Sequence, residues 1–479
     1  MLLYIIIFSV TSILTFRNFG MSAYDIGIHD QAIWKLATGR GIFNTIRGLN
    51  IWGDHCWFIF VLLSPLYWIA PRIETLLIGQ SVALSIGALP IAILTYRKTG
   101  SQIIALCLAV TWLISPVLQN MNLENFHPEV IVAPFLLWAI ERADLWTVDD
   151  TRFLGLARQW WWYEIAVVLA LLCKEDVALT IFFIGLWVAV RHNRREGIIT
   201  MVLSVLWFVL CLKVFLPYFN QVGFFRFSSG YWFSTFWEHK FEPGFYWNCI
   251  SSPQAAGYLW KLGIPVLFLA CLDPLLLLAA LPSIAINLLS QNNYLISIDY
   301  HYNNLSLPMI FAATACGIAW LVRNLHYGHI LARLLTVGMV ASSVLANDAW
   351  SHLPMSSAVN AIQNQYKFFS TSGIEERFRR MESHLPKDPD VAIAVSHNMV
   401  PHLTHRNEIY MFPNPWKTYY WGINGENVPS PKSIQTLFMD RAAIGPEVME
   451  VFERLIDAGE FSIIAEEDTL IVARQSSTH

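Results

Sequence analysis

The chain has 479 residues, 55% of them hydrophobic and only 14% charged, with a net charge of −4. Soluble domains carry about 25% charged residues, so this composition marks a membrane protein, and the near-neutral balance gives no basis for nucleic-acid binding. Cys107, Cys173, Cys211, Cys271 and Cys316 lie in or beside apolar runs and no CxxC pair occurs, so neither a zinc site nor a disulfide framework is indicated.

Apolar runs fall at about 1–16, 56–70, 74–95, 102–119, 129–141, 163–173, 176–190, 198–217, 256–290, 305–322 and 329–346. A crossing helix needs roughly 20 apolar residues, and several runs are shorter. The first lacks a small-residue cleavage site and reads as a retained span. The 56–70 run opens on "GDHCWF" and suits an interfacial position. The 256–290 run is too long for one crossing, and Pro274 and Pro282 divide it. Arg97 and Lys98, then Arg142, Arg152 and Arg158, then Arg191, Arg194 and Arg195, then Arg323 and Arg333 cluster between runs. Cytoplasmic loops collect Lys and Arg, which gives about eleven spans with a cytoplasmic N-terminus. Arg17 falls on the wrong side in this scheme.

This orientation puts 17–55, 120–128, 174–176, 218–253 and 291–304 on the outer face. Those segments and their borders hold Asp25, Asp30, Asp54, His55, Glu124, His127, Glu129, Lys174, Glu175, Asp176, Asp299 and His301. From about residue 347 the composition changes. "DVAIAV" at 390–395 and "EIYMF" at 408–412 read as buried strands, and "EVMEVFERLIDAG" at 447–459 as a helix closed by Gly459. "FSIIAEEDTLIVAR" at 461–474 reads as a hairpin turning at Glu466–Asp468. The expected division is therefore a helical membrane domain at 1–346, with its outer loop at 17–55, and an extracytoplasmic α/β domain at 347–479.

Four outer stretches carry chemistry. In "CKEDVALTIFF", 173–183, three consecutive charges interrupt apolar sequence, where each ion would be costly in hydrocarbon. Lys174 beside Glu175 and Asp176 suits an anionic group; a wet inter-helix loop is the plain alternative. In "NLENFHPEV", 122–130, His127 and Glu129 precede a span whose first turn takes Pro128, and a charged first turn would account for Glu129 equally well. "IDYHYNN", 298–304, offers His301 and Tyr302, and by itself reads as an aromatic belt with a wet histidine. "YDIGIHDQAIW", 24–34, offers Asp25 and Asp30, five apart and so on different faces of a regular helix. Its plain alternative is an interfacial helix with Ile26, Ile28, Ile33, Trp34 and Leu36 on lipid. Convergence of the four segments, with His55 from a fifth, carries the functional reading.

In the outer domain, "AVSHNMVPHLTHR" sets Ser396, His397, His402 and His405 close together. No acid follows at ligand spacing, so a solvated helix after a strand is expected there, and a supporting or acceptor-recognition role for the domain.

"YDIGIHDQAIW", "GDHCWFIFVLLSPLYWIAP", "SPVLQNMNLENFHPEV", "CKEDVAL" and "YHYNN…LP" occur in this order. Together they resemble a bacterial multi-pass membrane family of unknown function placed beside the GT-C glycosyltransferases, over about residues 20–470. The resemblance implies a polytopic GT-C-like fold in the bacterial inner membrane. It also implies an inverting transfer of sugar from a polyprenyl-phosphate donor to an extracytoplasmic acceptor. The first-loop pattern Asp-Glu-x-x-aromatic matches Asp30-Gln31-Ala32-Ile33-Trp34, making Asp30 the first candidate for the catalytic acid and Asp25 the second. Gln31 stands where the pattern has Glu, which removes one acid of a paired-acid metal site. Lys174, Glu175, Asp176, His127, Glu129, His55, His301 and Tyr302 then form the expected phosphate and substrate site. A divalent metal is an open cofactor, none being clearly encoded. A lipid or lipid-linked-sugar flippase and an inactive membrane scaffold are the other classes. Transporters place their sites at the midplane on repeated halves, and no repeat is visible here.

Overall fold

The computed structural model describes residues 1–147, 152–153, 156–223, 232–353, 356 and 373–476. Parts of the expected basic segment 142–158, of the outer segment 218–253 and of the stretch after 347 lie outside the described residues. Among the described residues five helices are long and apolar enough to cross a bilayer: Ile73–Thr99, Gln102–Glu124, Arg194–Asn220, His301–Asn324 and Gly328–Trp350. Shorter apolar helices at Leu2–Arg17, Phe60–Ile69, Trp160–Leu171, Val177–Arg191 and Pro274–Leu289 cover most of the other expected runs. His301–Asn324 is enclosed over 89% of its apolar window and Arg194–Asn220 over only 22%, so the first is a central helix and the second lies at the edge.

Local sequence explains most breaks. Ser115 is extended before Pro116, which ends one helix at Ile114 and starts another, Pro116–Glu124, on a new axis. The 256–290 run does divide, but at Leu267 and Phe268, whose φ of 49° and 55° reverse the chain, and again at Pro274. Pro282 divides nothing; it sits in the first turn of Leu281–Leu289, where its missing N–H costs no hydrogen bond. The 56–70 run forms two one-turn helices, Phe60–Leu63 and Leu66–Ile69, separated at Ser64–Pro65. Val177–Arg191 and Arg194–Leu210 pack as a hairpin with Asn193 capping the second helix. A Cβ on Gly197 would strike the Ala189 backbone, so this close approach requires glycine.

The C-terminal region holds a five-stranded sheet in the order Ile409–Met411, Ile393–Val395, Thr436–Asp440, Leu470–Gln475, Phe461–Glu467. The first three strands run parallel and the last two are antiparallel. Side chains alternate between two cores, as strand geometry demands. Ala394, Leu437, Met439, Ile471 and Ala473 face the amphipathic helix Pro446–Asp457. Ile393, Val395, Phe438 and Val472 join instead one apolar core with Phe19, Met21, Ile26 and the membrane helices. The sheet is thereby packed onto the helical body. Gly459, at φ 70°, follows the helix end as expected. The expected helix at 400–405 is instead a single 3-10 turn, Val400–His402, and it is buried: the His402 ring stacks on Phe16 and Phe19 at 4.4 and 3.9 Å.

Candidate functional site

The turn between Pro116–Glu124 and Val132–Ala143 is the centre of the site. Gln80, fully buried on the helix Ile73–Ile86, fixes it from below: its amide nitrogen donates to the Asn125 carbonyl at 2.7 Å, and its oxygen accepts from the His127 N–H at 2.8 Å. Pro128 opens a 3-10 turn that presents Glu129. From the start of the central helix His301–Asn324, Asn304 donates to the Glu129 carbonyl at 3.0 Å. Two separated sequence segments are thus held as one wall.

On that wall Glu124 Oε2 stands 2.9 Å from His127 Nε2 and 3.0 Å from His301 Nδ1. The two imidazole rings stack with centroids 3.5 Å apart, and the Tyr302 ring lies 4.1 Å from that of His301. Glu129 Oε1 is 3.7 Å from His301 Nε2 and 3.3 Å from Lys174 Nζ, and Lys174 is also 3.9 Å from Asp176. Glu175 turns the other way, accepting from the Cys56 N–H at 3.0 Å and lying 2.7 Å from His55 Nδ1. Consecutive residues 174–176 therefore tie the loop after Gly53 to the Glu129 wall. His29 completes the surroundings, its Nδ1 3.0 Å from the Phe126 carbonyl and its ring 6.0 Å from His127.

Charges here are set by burial against pairing. Burial disfavours an imidazolium at His127, but Glu124 and Asp25 outweigh it and push the group up to about 9. Burial would raise Glu129, yet Lys174 and the histidines hold it well below the usual carboxylate range. Lys174, buried but faced by Asp176, Glu129 and Glu175, is pushed above its ordinary value. His29, which has no such partner at hydrogen-bond distance among the described residues, is pushed down to about 3 by burial, which favours the neutral ring.

The two first-loop acids part company. Asp25 is partly exposed and lies within electrostatic reach of His127, Glu124, His301 and Glu129; burial raises its carboxyl, and the histidines draw it back. Its backbone sits at φ 65°, ψ −96°, rare and strained for a residue with a side chain. Asp30, on Ile28–Ala37, is fully buried. Tyr67 donates to one of its oxygens and Thr404 to the other, with His405 Nε2 at 3.1 Å. A cavity of about 300 Å³ beside Asp30 is lined by Arg72, Lys387 and Arg406. The alternative of an apolar stripe on lipid does not hold: Ile26, Ile28, Ile33 and Trp34 are buried in protein and Leu36 is half-buried. Gln31 also finds its reason. Its amide nitrogen donates to Thr45 Oγ1 and the Arg406 carbonyl at 2.8 and 3.1 Å, while its oxygen accepts from the Thr45 N–H. A glutamate could not donate to that carbonyl.

Glu124, Gln80 and the Asp30 clamp of Tyr67, Thr404 and His405 were missed as site residues from sequence. Glu124 was within reach, because it stands three residues before His127 at the end of a helix. Among the described residues Glu124, His127 and His301 form the one cluster with metal-ligand geometry, their donor atoms within 4.8 Å of one another.

The sequence model of the predicted membrane proteins called DUF2079 matches residues 16–472. The chain belongs to this family. No curated protein matches the sequence. Two solved structures of ArnT from Cupriavidus metallidurans are similar to it. One, bound to undecaprenyl phosphate, has 11% identity and a TM-score of 0.56 over 99% of this chain and 98% of that one. The other, in the apo state, has 12% identity and a TM-score of 0.55 over 98% and 97%. The present chain shares the overall fold of these ArnT structures along nearly its whole length.

Proposed function

We propose that this protein is a GT-C-type inverting glycosyltransferase that moves a sugar from a polyprenyl-phosphate donor to an acceptor on the outer face of the bacterial inner membrane. The observation that carries the reading is the meeting of Asp25, Glu124, His127, Glu129, Lys174 and His301 at one wall. It is supported by the shared fold with ArnT, whose structure holds a polyprenyl phosphate. Sugar transfer passes through an oxocarbenium-like state, in which the acceptor hydroxyl must lose a proton and the leaving phosphate must be held. Asp25 fits the base: it is open to a substrate, its charge is costly where it stands, and its backbone is held in a strained form. The loop pattern favours Asp30, but that acid is fully buried among Tyr67, Thr404 and His405, so we assign it to the junction with the sheet. Lys174 fits the phosphate, since a buried cation between acids is positioned before the ligand arrives. His55 and Glu175 position Lys174 from behind.

The test is transfer of radiolabelled sugar from a polyprenyl-phosphate pool in membranes containing the protein. Asp25→Asn keeps size and removes the proton acceptor, and should lower the rate by about 10²–10⁴-fold. Unchanged transfer in that variant overturns the assignment. Lipid movement across vesicles with no transfer by the wild type overturns the reading in favour of a flippase.

A further inference from the structure

Among the described residues His127 Nε2 and Glu129 Oε2, both buried on this wall, find no satisfactory hydrogen bond. Both residues are almost fully buried, 1% and 3% exposed. His127 Nε2 lies 2.9 Å from Glu124 Oε2 yet is poorly aligned with it, so proximity there is not a proper hydrogen bond. His301 aims Nδ1 at the same oxygen from the other side. Two stacked imidazoles that both turn a nitrogen toward one carboxylate oxygen are an awkward arrangement for protons alone. Were both charged, like charges would sit face to face in a dry site.

A metal ion removes the difficulty. We propose that Glu124, His127 and His301 bind a divalent transition metal of the zinc class. Around such an ion, nitrogen ligands stand at about 2.0–2.1 Å and carboxylate oxygens at about 2.0–2.2 Å. Tetrahedral neighbours are then separated by roughly 3.3 Å. The observed separations of 2.9 and 3.0 Å need to open by a few tenths of an ångström, and the stacked rings, now 23° from parallel, must tilt so that both in-plane lone pairs meet at one ion. The donor set, two imidazoles and a carboxylate, suits zinc, cobalt or nickel better than magnesium or calcium, which prefer oxygen alone. The surroundings have the form of an outer ligand sphere. With Nδ1 of His301 on the metal, its Nε2–H faces Glu129, and Lys174 holds that glutamate from the far side. Three protein donors leave a fourth tetrahedral position open. If the proposed function holds, on which this last point rests, that position would take a phosphate oxygen of the donor and stabilise its developing charge.

The experiment is metal binding by the full chain in detergent, which needs no activity. The purified protein is stripped with a chelator, then titrated with Zn(II) and, separately, Co(II). Bound metal is counted by mass spectrometry and Co(II) coordination read from its visible absorption. One tight ion per chain with a four-coordinate Co(II) spectrum is expected. His127→Gln and His301→Asn, chosen to keep shape and polarity, should each abolish the spectrum, while Glu129→Gln should weaken affinity by about 10–100-fold. His402→Ala, remote from the cluster, should leave it unchanged. Absence of a stoichiometric ion in the wild type overturns the proposal, as does an unaltered Co(II) spectrum in the His127 and His301 variants. A metal bound without sugar transfer leaves the site standing and removes the catalytic reading; transfer by metal-free protein leaves both standing and overturns only the ion's part in holding the phosphate.

Discussion

Asp25 and Asp30 stand five residues apart on one loop, yet they serve different parts of the molecule. Asp25 interrupts the helix with a positive φ and faces a wall of histidines, acids and a lysine. Asp30 lies inside the regular helix Ile28–Ala37 and is enclosed by Tyr67, Thr404 and His405. The difference teaches that two acids of one loop can be given quite different surroundings by the packing around them. Asp30 is fully buried and accepts from two hydroxyls, whereas Asp25 is partly exposed at a backbone conformation that costs energy.

The comparison breaks most sharply at Lys174. Lys174→Met leaves the Glu129 carboxylate buried without its cation, which should cost about 3–5 kcal/mol of stability. Chemical denaturation in detergent measures it, and Glu129→Gln added to Lys174→Met should recover much of the loss. No recovery would mean that Lys174 acts through packing and not through charge.

Next in size is Asp30→Ala. It strands the Tyr67 and Thr404 hydroxyls in a buried junction, for a cost of about 1–3 kcal/mol. The matching Asp25→Asn should stay within about 0.5 kcal/mol of wild type, because among the described residues no side-chain hydrogen bond of Asp25 is lost. Thermal midpoints of the two variants check both statements, and equal destabilisation would erase the distinction between the two acids.

The smallest effect is on pH dependence. Burial lowers His405, but Asp30 outweighs it and leaves the group above its ordinary value. Its contribution is therefore complete below the unfolded value of about 6.5 and fades as pH rises through the higher folded value. Tyr67 also faces Asp30 and stays neutral throughout this range, since burial and Asp30 raise it well above its ordinary value. Midpoints recorded at rising pH above 6.5 should fall slightly for the wild type. The slope should be reduced in Asp30→Asn; an unchanged slope would exclude this pair as its source.

Much of the site was legible in the sequence because charge is expensive in a greasy chain. Lys174, Glu175 and Asp176 between two apolar helices, and His127 and Glu129 before a third, stand out by cost alone. The same logic marked the strands at 393–395 and 409–411 and the helix at 446–457, each by its apolar period. Gln80 could not be marked, because an uncharged amide in a helix carries no such penalty signal. Its role as the support of the 125–127 turn exists only once two helices are packed.

The sequence alone determined that this is a polytopic helical membrane protein of a particular family, with a sheet-forming C-terminal region and its ionisable groups in a few short segments. The class and the segments follow from composition and periodicity, which are local properties of the chain, and the family from the match of its ordered motifs. Only the tertiary structure decided which of those groups meet. Asp25 joins residues about a hundred and nearly three hundred positions away, while Asp30 joins Thr404 and His405 across the sheet junction. The physical reason is that pairing energy falls steeply with distance and depends on burial, and both are set by how helices and sheet pack, not by the order of residues along them.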